Sequence, residues 1–500
     1  MNTKQLLRRT IIILAIVTVV TLGSWLFYVN VAQPELRVNA PKAATISLTT
    51  PDGVVVAKQD NTTKASFRVA PGTYVIRAET LSARELKYET VGFFEGKQTD
   101  FTFKEPLNAE PIAQAAAYNP SLQAGELLYF DPIKQHIQRM NALGDTSTVK
   151  TLDAGQDDDQ SDAAGGGTYK ALLIADGQMI LNSYNRLLVI ENGVAKSLNI
   201  EGIKEAINPL SINFGGNPTQ ASFVVAVDKA VYLYENADAK PQKLLDLPKT
   251  INQIAYGGNR AIAYSTDLAY SKQDVRSAYG SFAIDPIVID TSTKSTYELS
   301  GPLVDATVSP DGKRAVLQAR QIDHATVHDL ENNRSLFSVE KPSLAAPLWV
   351  NSHEFVYERN KTVWRFNTDS KTASAIGILL RNAVSLTPED NTHFLVSTFS
   401  HETSEAKALV YRLGDKQVAP SLIAASESTP ISVDNYQVKF VNIDMPRLLI
   451  ETTASTTNPN DVQGYRTKTQ QLRQTALDDL QSKGINPADF TITFTPGDPL

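Results

Sequence analysis

The sequence predicts a mainly β protein, and three observations support this. A strand-turn-strand motif recurs along most of the chain, and an earlier segment alternates apolar and polar residues with the period of two that marks half-buried strands. One charge-free stretch near the N-terminus has the length of a membrane helix. We therefore predict six segments: a cytoplasmic segment, a transmembrane helix, a small β-sandwich, a linker, a repeated β domain and a C-terminal α/β domain, at residues 1–9, 10–33, 36–105, 106–119, 120–425 and 430–500.

The composition limits the classes of function. Of the 500 residues, 42% are hydrophobic and 20% charged, which is typical of folded domains. The 47 basic and 54 acidic residues leave a net charge of −7, so the clustered positive charge of a nucleic-acid-binding protein is missing. The chain has no cysteine, which excludes disulfides, thiolate catalysis and thiolate metal sites. An exported chain without cysteine is typical of a bacterial or archaeal envelope.

The N-terminal segment predicts a single-pass anchor in the plasma membrane. Residues 10–33 carry no charge and are long enough to cross a bilayer. Lys4, Arg8 and Arg9 precede the span, so the positive-inside rule places residues 1–9 in the cytoplasm and the bulk of the chain outside. The apolar stretch is longer than the 7–15 residues usual in a cleaved signal peptide, which favours an uncleaved signal anchor.

The segment 36–105 predicts a small β domain. Turn sequences separate runs of alternating residues, which include Phe67 with Val69, Tyr74 with Ile76 and Ala78, and Phe101 with Phe103. From about residue 40 to 104 the segment resembles a PEGA domain, a small extracytoplasmic β-sandwich. The residues that carry this resemblance are Ala44-Thr45-Ile46-Ser47-Leu48, Pro51-Asp52-Gly53 and Val69-Ala70-Pro71-Gly72-Thr73-Tyr74-Val75-Ile76. The resemblance implies a spacer between a membrane anchor and a surface domain.

The long middle region predicts a β-propeller of about seven blades. Seven copies of the motif start near Ile137, Leu187, Val231, Val288, Val327, Val363 and Val410. Their mean spacing of about 45 residues matches the period of a four-stranded blade. Closure into a ring would also leave only short, protected strand edges. The competing architecture is a pair of stacked β-sandwiches.

Two turn sequences in this region resemble the blade signature of Tol-system and peptidase propellers. They are Val308-Ser309-Pro310-Asp311-Gly312-Lys313 and a weaker copy, Leu386-Thr387-Pro388-Glu389-Asp390. The resemblance implies the fold, in common with WD-repeat propellers, rather than an activity.

Two further segments flank or interrupt the blades. The acidic run Asp153–Asp162, followed by three glycines, lacks the ligand spacing of an EF-hand, so a solvated insertion is favoured over a calcium site. After Pro430, two strands, a helix ending at Gly484 and a final strand predict a small domain of β-β-α-β order.

The sequence assigns no catalytic, cofactor-binding or metal-binding residue. His324 and His328 would share a zinc ion on a helix, but their surroundings predict a strand, which separates the two rings by about 13 Å. The other histidines, His136, His353, His393 and His401, are isolated. The aromatic residues Trp349, Trp364, Tyr232, Tyr234 and Tyr357 are interpreted as core rather than as a carbohydrate-binding face.

These observations favour a membrane-anchored, non-catalytic binding or scaffold protein that presents a propeller to a cell-wall polymer or to another envelope protein. The alternative is an envelope hydrolase or lyase with its site at the mouth of the propeller. Carboxylates and histidines converging on the central channel would support the alternative, whereas Ser, Thr and apolar residues would oppose it. A sensor is the third hypothesis and the least favoured, because only about nine residues are predicted on the cytoplasmic side of the membrane.

Overall fold

The computed structural model describes residues 17–21, 23, 34–80, 83–93, 96–103, 107–115, 117–131, 134, 136–152, 170–183, 186–203, 212–248, 251, 253–264, 286–301, 303–319, 324–343, 345–379, 382–390, 393–400, 407–417, 420–442, 447–454 and 461–495. The chain divides into two compact units, residues 1–104 and 105–500.

The predicted membrane helix lies mostly outside the described residues. Residues 17–21 and 23 are described, and they are helical. Within the part of the chain that the structure describes, no helix combines the length and apolar character needed to cross a membrane. The anchor therefore stays a prediction from the sequence.

The first unit is a small β domain of five strands. They are β1 (Glu35–Thr49), β2 (Val55–Arg68), β3 (Gly72–Glu79), β4 (Arg84–Val91) and β5 (Lys97–Asp100). The long strand β1 pairs antiparallel with β2 along its length, with β3 through its C-terminal half, and in parallel with β5 through its N-terminal half. Register shifts in the β1–β2 ladder let β1 bend, so that one strand serves both pairings.

The core of this domain follows the alternation in the sequence. Phe67, Val69, Tyr74 and Ile76 are buried together with apolar residues of β1. Phe101 is also buried, but it follows β5 instead of lying within a strand. Strand β5 ends at Asp100, and the backbone N–H of Phe101 donates to the carbonyl oxygen of Asn39 in β1.

The second unit contains a β-propeller. Among the described residues, seven groups of four strands follow one another as blades, and each blade runs from an innermost to an outermost strand. Blade 1 comprises β7 (Tyr118–Gln123), β8 (Glu126–Asp131), β9 (His136–Met140) and β10 (Thr146–Thr148). Blade 2 comprises β12 (Lys170–Leu173), β13 (Met179–Ser183), β14 (Arg186–Glu191) and β15 (Val194–Ser197), and β11 (Lys150–Thr151) pairs in parallel with β15 at its edge. Blade 3 comprises β16 (Ile212–Gly216), β17 (Phe223–Val227), β18 (Ala230–Tyr234) and β19 (Gln242–Asp246), and blade 4 comprises β20 (Gln253–Gly257), β21 (Arg260–Tyr264), β22 (Ile287–Asp290) and β23 (Thr296–Glu298).

The remaining three blades have the same order. Blade 5 comprises β24 (Leu303–Val308), β25 (Arg314–Ala319), β26 (His324–Asp329) and β27 (Arg334–Glu340). Blade 6 comprises β28 (Leu348–Trp349), β29 (Glu354–Arg359), β30 (Thr362–Asn367) and β31 (Thr372–Ile378). Blade 7 comprises β32 (Ala383–Pro388), β33 (Phe394–Ser400) and β34 (Lys407–Gln417), with β6 (Leu107–Ala115) as the outermost strand.

Strand β6 closes the ring. It precedes blade 1 in the chain, yet it pairs antiparallel with β34, the third strand of blade 7, with Val410 opposite Ala113. The two ends of the repeated region are thus joined in one sheet, which removes the open edge that blade 7 would otherwise present. The prediction that residues 106–119 form a linker was wrong. The partner of this segment lies about 300 residues away, so no local pattern in the sequence reveals the pairing.

Apolar side chains pack the blades against one another. In β17, all five residues from Phe223 to Val227 are buried, because alternate side chains face the two neighbouring blades. Blades 7 and 1 share a cluster that contains Tyr129, Leu395 and Val410. Blades 5 and 6 meet where the rings of Phe337 and Phe366 lie 5.6 Å apart.

The propeller predicted from the repeats is confirmed, and stacked β-sandwiches are excluded. All seven motif copies fall on the third strand of a blade, namely β9, β14, β18, β22, β26, β30 and β34. The acidic segment Asp153–Asp162 lies outside the described residues.

The C-terminal domain follows β34 in the same unit. It consists of α1 (Pro420–Ser428), β35 (Ile431–Val433), β36 (Tyr436–Asn442), β37 (Arg447–Thr452), α2 (Val462–Ser482), a 3-10 turn (Pro487–Asp489) and β38 (Thr491–Thr495). The sheet order is β35-β36-β37-β38, with β38 parallel to β37. Compared with the predicted β-β-α-β order, α1 and β35 are additional. Ala425 of α1 is buried in the core of this domain rather than in the propeller.

Local chemistry explains the limits of α2. Asp461 caps its N-terminus by accepting a hydrogen bond from the Gly464 backbone N–H at 2.8 Å. Gly484 follows the C-terminus with a φ of 77°, as the predicted C-terminal glycine requires. Ala476 and Leu480 form the apolar part of the buried face, whereas Val462 is exposed.

Ring closure through β6 can be tested with an engineered disulfide, because the natural chain has no cysteine. Gln114 of β6 lies opposite Leu409 of β34. We expect the Gln114→Cys, Leu409→Cys double variant to form an intramolecular disulfide on oxidation. We also expect a higher thermal midpoint, since a disulfide that closes a long loop contributes about 2–4 kcal/mol. Gel mobility without reductant and calorimetry measure the two effects.

A Gln114→Cys, Arg412→Cys pair is out of register and serves as the control. Equal cross-linking of both pairs would contradict the register.

Candidate functional site

A cavity of about 380 Å³ lies at the end of the ring that carries the turns between the first and second strands of the blades. We call this end the turn face and the cavity the axial cavity. Five blades contribute to its wall, so it lies near the ring axis. The wall is formed mainly by Ser121–Ala124, Leu173–Ile174, Asp176–Gly177, Pro218–Thr219, Trp349–Val350 and Thr387–Asp390.

Gln123 is placed in the wall by a tight hairpin. Its register partner is Glu126, so only Ala124 and Gly125 form the turn, and both have positive φ angles of 50° and 81°. Two-residue turns of this kind match the twist of paired strands. Gly177 packs beside the Gln123 side chain, and a Cβ atom at this glycine would lie 3.4 Å from Gln123 Cγ.

Two residues that line the cavity carry three buried polar atoms without a hydrogen-bond partner among the described residues. They are both amide atoms of Gln123, Oε1 and Nε2, and the indole Nε1 of Trp349. Gln123 is 8% exposed and Trp349 is 2% exposed. Most buried polar side-chain atoms in native proteins are paired, and leaving one unpaired costs about 1–3 kcal/mol. The three atoms have almost no accessible surface, so they are buried behind the wall and not open to the cavity.

The charge of the wall is negative. Asp176, Glu389 and Asp390 contribute carboxylates, and the wall residues include no Lys or Arg. Two of these carboxylates already have partners, since Arg412 donates to both oxygens of Glu389 at 2.6 Å and Asp390 Oδ2 lies 2.6 Å from His393 Nδ1. Asp176 is exposed. The cavity therefore favours neutral or cationic ligands over anions.

The neighbouring half of the turn face is closed by a hydrogen-bond network centred on Gln220. The side chain of Gln220 accepts from the Gly258 backbone N–H at 3.0 Å and donates to the Pro310 carbonyl oxygen at 2.5 Å. Its own carbonyl oxygen accepts from the Ala175 N–H at 2.8 Å. One residue thus links the turns of blades 2, 3, 4 and 5. This closure leaves the axial cavity bounded mainly by blades 7, 1, 2 and 6.

Close packing of the innermost strands narrows the same region. A Cβ atom at Gly215 would lie 2.7 Å from the Ile254 carbonyl oxygen, and one at Gly257 would lie 2.3 Å from that of Ser309. Glycine is therefore required where these strands approach each other near the axis.

Two carboxylates away from the axial cavity have raised pKa values. Burial raises the pKa of Glu358, near the end of β29, to about 7, although the Lys361 and Ala383 backbone N–H groups and the Ser343 hydroxyl donate to it. Its Oε2 atom has no partner among the described residues. Burial also raises the pKa of Asp305, in β24, to about 6, against the opposing effect of hydrogen bonds from the Ala306 N–H and the Tyr264 hydroxyl.

The histidines named from the sequence are not brought together. His324 and His328 lie on strand β26, as predicted, and His328 Nε2 is 3.2 Å from Asn333 Oδ1. His353 lies on the turn between β28 and β29 of blade 6, where its Nδ1 is 2.8 Å from Asp369 Oδ2, whereas His393 lies on the turn between β32 and β33 of blade 7. His136 begins β9, and His401 lies outside the described residues. Within the described part of the chain, no three His, Asp or Glu side chains cluster as a metal site would require.

The aromatic residues named from the sequence are core, as predicted. The exposed fractions of the five are 4% or less: Trp349, Trp364, Tyr232, Tyr234 and Tyr357. Trp349 is the one that also reaches the axial cavity.

Sequence reasoning missed Gln123 and Asp176. The available signal was a polar residue directly before Ala124-Gly125, a pair suited to a tight turn. It also missed that the weaker blade signature, through Thr387–Asp390, forms part of the cavity wall. Whether a side chain is unpaired is decided by its tertiary neighbours, so composition and spacing do not reveal it.

Comparison with known proteins adds no family. No family model matches the chain, and no curated protein matches it. The PEGA resemblance therefore has no support from these comparisons.

Among solved structures, the chain is similar to the extracellular domain of BT4673 from B. thetaiotaomicron, with 8% identity and a TM-score of 0.41 over 73% of this chain. The match spans only 55% of that protein. It is also similar to the WD40 propeller domain of Doa1 (9% identity, TM-score 0.38, 61% of this chain and 97% of that one) and to the Dos1 propeller (12%, 0.35, 69% and 90%). The assignment of this chain as a β-propeller rests on its own strand pairing.

The raised pKa of Glu358 predicts how stability depends on pH. The folded state holds this proton more tightly than the unfolded state, so its contribution is complete below pH 4.5 and is lost as the pH rises through about 7. We expect Glu358→Gln to remove this loss, which makes the variant more stable than the natural protein at pH 8, by about 1–3 kcal/mol, but not at pH 4.5.

Thermal midpoints of both proteins at pH 4.5, 6 and 8 measure the effect. Glu298→Gln, at an exposed position, is the matched control. A difference between the Glu358→Gln variant and the natural protein that is the same at all three pH values would contradict the prediction.

Proposed function

We propose that this chain is a membrane-anchored, extracytoplasmic and non-catalytic protein that binds a cell-envelope ligand through its propeller. The observation that carries the proposal is the axial cavity, which residues of five blades line at the turn face. A cavity of about 380 Å³ has the size of a small ligand site, and the polar and carboxylate groups of its wall can orient a ligand.

The anchor and the propeller together support a scaffold role. The charge-free segment 10–33 would hold the chain at the plasma membrane, and the β domain of residues 35–100 lies between it and the blades in the sequence. A ring of blades offers a rigid face built from turns, which suits it to grip a polymer or a protein.

The orientation across the membrane can be tested with single cysteines, since the natural chain has none. Leu143 is 87% exposed on a turn of blade 1, and Thr3 precedes the predicted span. We expect a membrane-impermeant maleimide to label Leu143→Cys in intact cells and to label Thr3→Cys only after lysis. Labelling of both, or of Leu143→Cys only after lysis, would contradict the proposed orientation.

Ligand retention tests the binding role. The full-length protein in lipid nanodiscs is immobilised and incubated separately with isolated wall polymer and with solubilised envelope proteins, and mass spectrometry identifies what is retained. We expect saturable retention that Asp176→Lys abolishes, because this exposed residue of the wall would then carry a longer side chain of opposite charge. Asp246→Lys, at an exposed position outside the wall of the axial cavity, is the matched control and should retain the ligand.

The alternative function is an envelope hydrolase or lyase, and the Asp390–His393 pair beside the cavity favours it. The same incubation separates the two functions. A polymer that is retained and then shortened, with the shortening lost in His393→Ala, would replace the binding role with catalysis. Retention without turnover would support the binding role. Retention that Asp176→Lys leaves unchanged would reject the axial cavity as its site.

A further inference from the structure

We infer that the first unit rests on the outer leaflet of the membrane, with the exposed ring of Phe93 inserted at the level of the lipid headgroups. This inference rests on the membrane anchor of the proposed function, and it names a second contact between the chain and the lipid. Three features of the unit carry it: the place where β1 begins, the turns that meet there and the side chains that those turns expose.

The predicted anchor leaves almost no linker before the fold. The span ends at Gln33, and β1 begins at Glu35. Two residues of extended chain cover about 7 Å at most. The part of the unit that surrounds the start of β1 therefore lies at the surface of the membrane.

Two turns of the unit meet at the start of β1. The turn between β2 and β3 is held there because the Val69 backbone N–H donates to the Pro34 carbonyl oxygen at 3.1 Å. The turn between β4 and β5 is held there because Lys97, the first residue of β5, lies opposite Leu36 of β1. We call this part of the unit the anchor end, and its described residues are 34–37, 68–72, 91–93, 96 and 97.

The turn between β4 and β5 exposes an aromatic ring at the anchor end. Val91 is 1% exposed and belongs to the core of the unit, whereas Phe93, two residues later, is 63% exposed. A phenyl ring in water is unfavourable, and the interfacial region of a bilayer takes up aromatic and apolar side chains. Lipid is therefore a partner of suitable chemistry that the anchor itself brings to Phe93.

Position distinguishes Phe93 from other exposed apolar residues, which are common singly on protein surfaces. Val54 is 60% exposed, but it follows the far end of the 15-residue strand β1, in the turn between β1 and β2. Phe93 lies beside the near end of the same strand. Val54 thus provides a residue of similar exposure that is placed away from the anchor.

The charge of the anchor end suits a phospholipid surface. Its described residues include three basic side chains and one carboxylate. That carboxylate, Glu35, already accepts from Arg37 at 2.7 Å, whereas exposed Arg68 and half-buried Lys97 lie on the strands either side of β1. Basic side chains at a membrane surface are attracted to lipid phosphates and to anionic headgroups.

Lipid-borne quenchers test the inference. Single cysteines are introduced into the full-length protein, whose natural chain has none, and labelled with an environment-sensitive dye. The protein is placed in nanodiscs of mixed zwitterionic and anionic phospholipid, with or without lipid that is spin-labelled near the headgroup. We expect the dye at Phe93→Cys to be quenched and shifted to the blue. The dye at Val54→Cys is the matched control and should show neither effect.

A reporter away from Phe93 tests the role of the ring itself. Ala70 is exposed on the turn between β2 and β3, so a dye at Ala70→Cys should also be quenched. Adding Phe93→Ser should lower the ratio of docked to undocked units about tenfold, read as loss of quenching at residue 70. Adding Val54→Ser should leave that quenching unchanged. Thermal midpoints equal to that of the natural protein show that both variants are folded.

Equal quenching at residues 93 and 54, or no quenching at residue 93, would overturn the inference. Quenching at residue 70 that Phe93→Ser leaves unchanged would overturn it as well. If the protein elutes with the nanodiscs but residue 93 is not quenched, the anchor stands and the docking of the first unit fails. If the protein does not elute with the nanodiscs, neither stands.

Discussion

The pairing of β6 with β34 is the constraint on which the rest of the structure depends. Seven four-stranded blades each bury their faces against two neighbours, and every blade can do so only if the first and last blades also meet. Because β6 comes from the beginning of the repeated region and lies in the last blade, opening the ring requires a whole ladder of backbone hydrogen bonds to break. The axial cavity exists because of this closure, since its wall draws on blades 7, 1 and 2 across the junction.

Within the closed ring, the turn face is divided unequally. Gln220 and the close approach of glycines seal the part formed by blades 3, 4 and 5. On the other side, the axial cavity remains open in a wall that carries three carboxylates. Buried polar atoms without a partner among the described residues occur on both sides, for example Tyr234 Oη of blade 3 and Thr307 Oγ1 of blade 5. The open part of the turn face is therefore distinguished by its cavity and by its negative charge.

The sequence predicts the repeated part of this molecule well and its closure badly. The motif copies fall on the third strands of the blades because those strands have fixed local signals, a run of apolar residues followed by a polar turn. The segment 106–119 carries no such signal, and its role in the ring depends on a partner far along the chain. The strand assignment of His324 and His328 could be predicted from their immediate neighbours. The site could not, because an unpaired Gln123 looks in the sequence like any other polar residue beside a turn.

The most direct measurement of the central claim is a high-resolution structure of the full-length protein. The account predicts that β6 lies in blade 7, with Ala113 opposite Val410, and that the axial cavity opens at the turn face where blades 7, 1 and 2 meet. A structure in which residues 107–115 lie apart from β34, so that blades 7 and 1 do not close the ring, would contradict it.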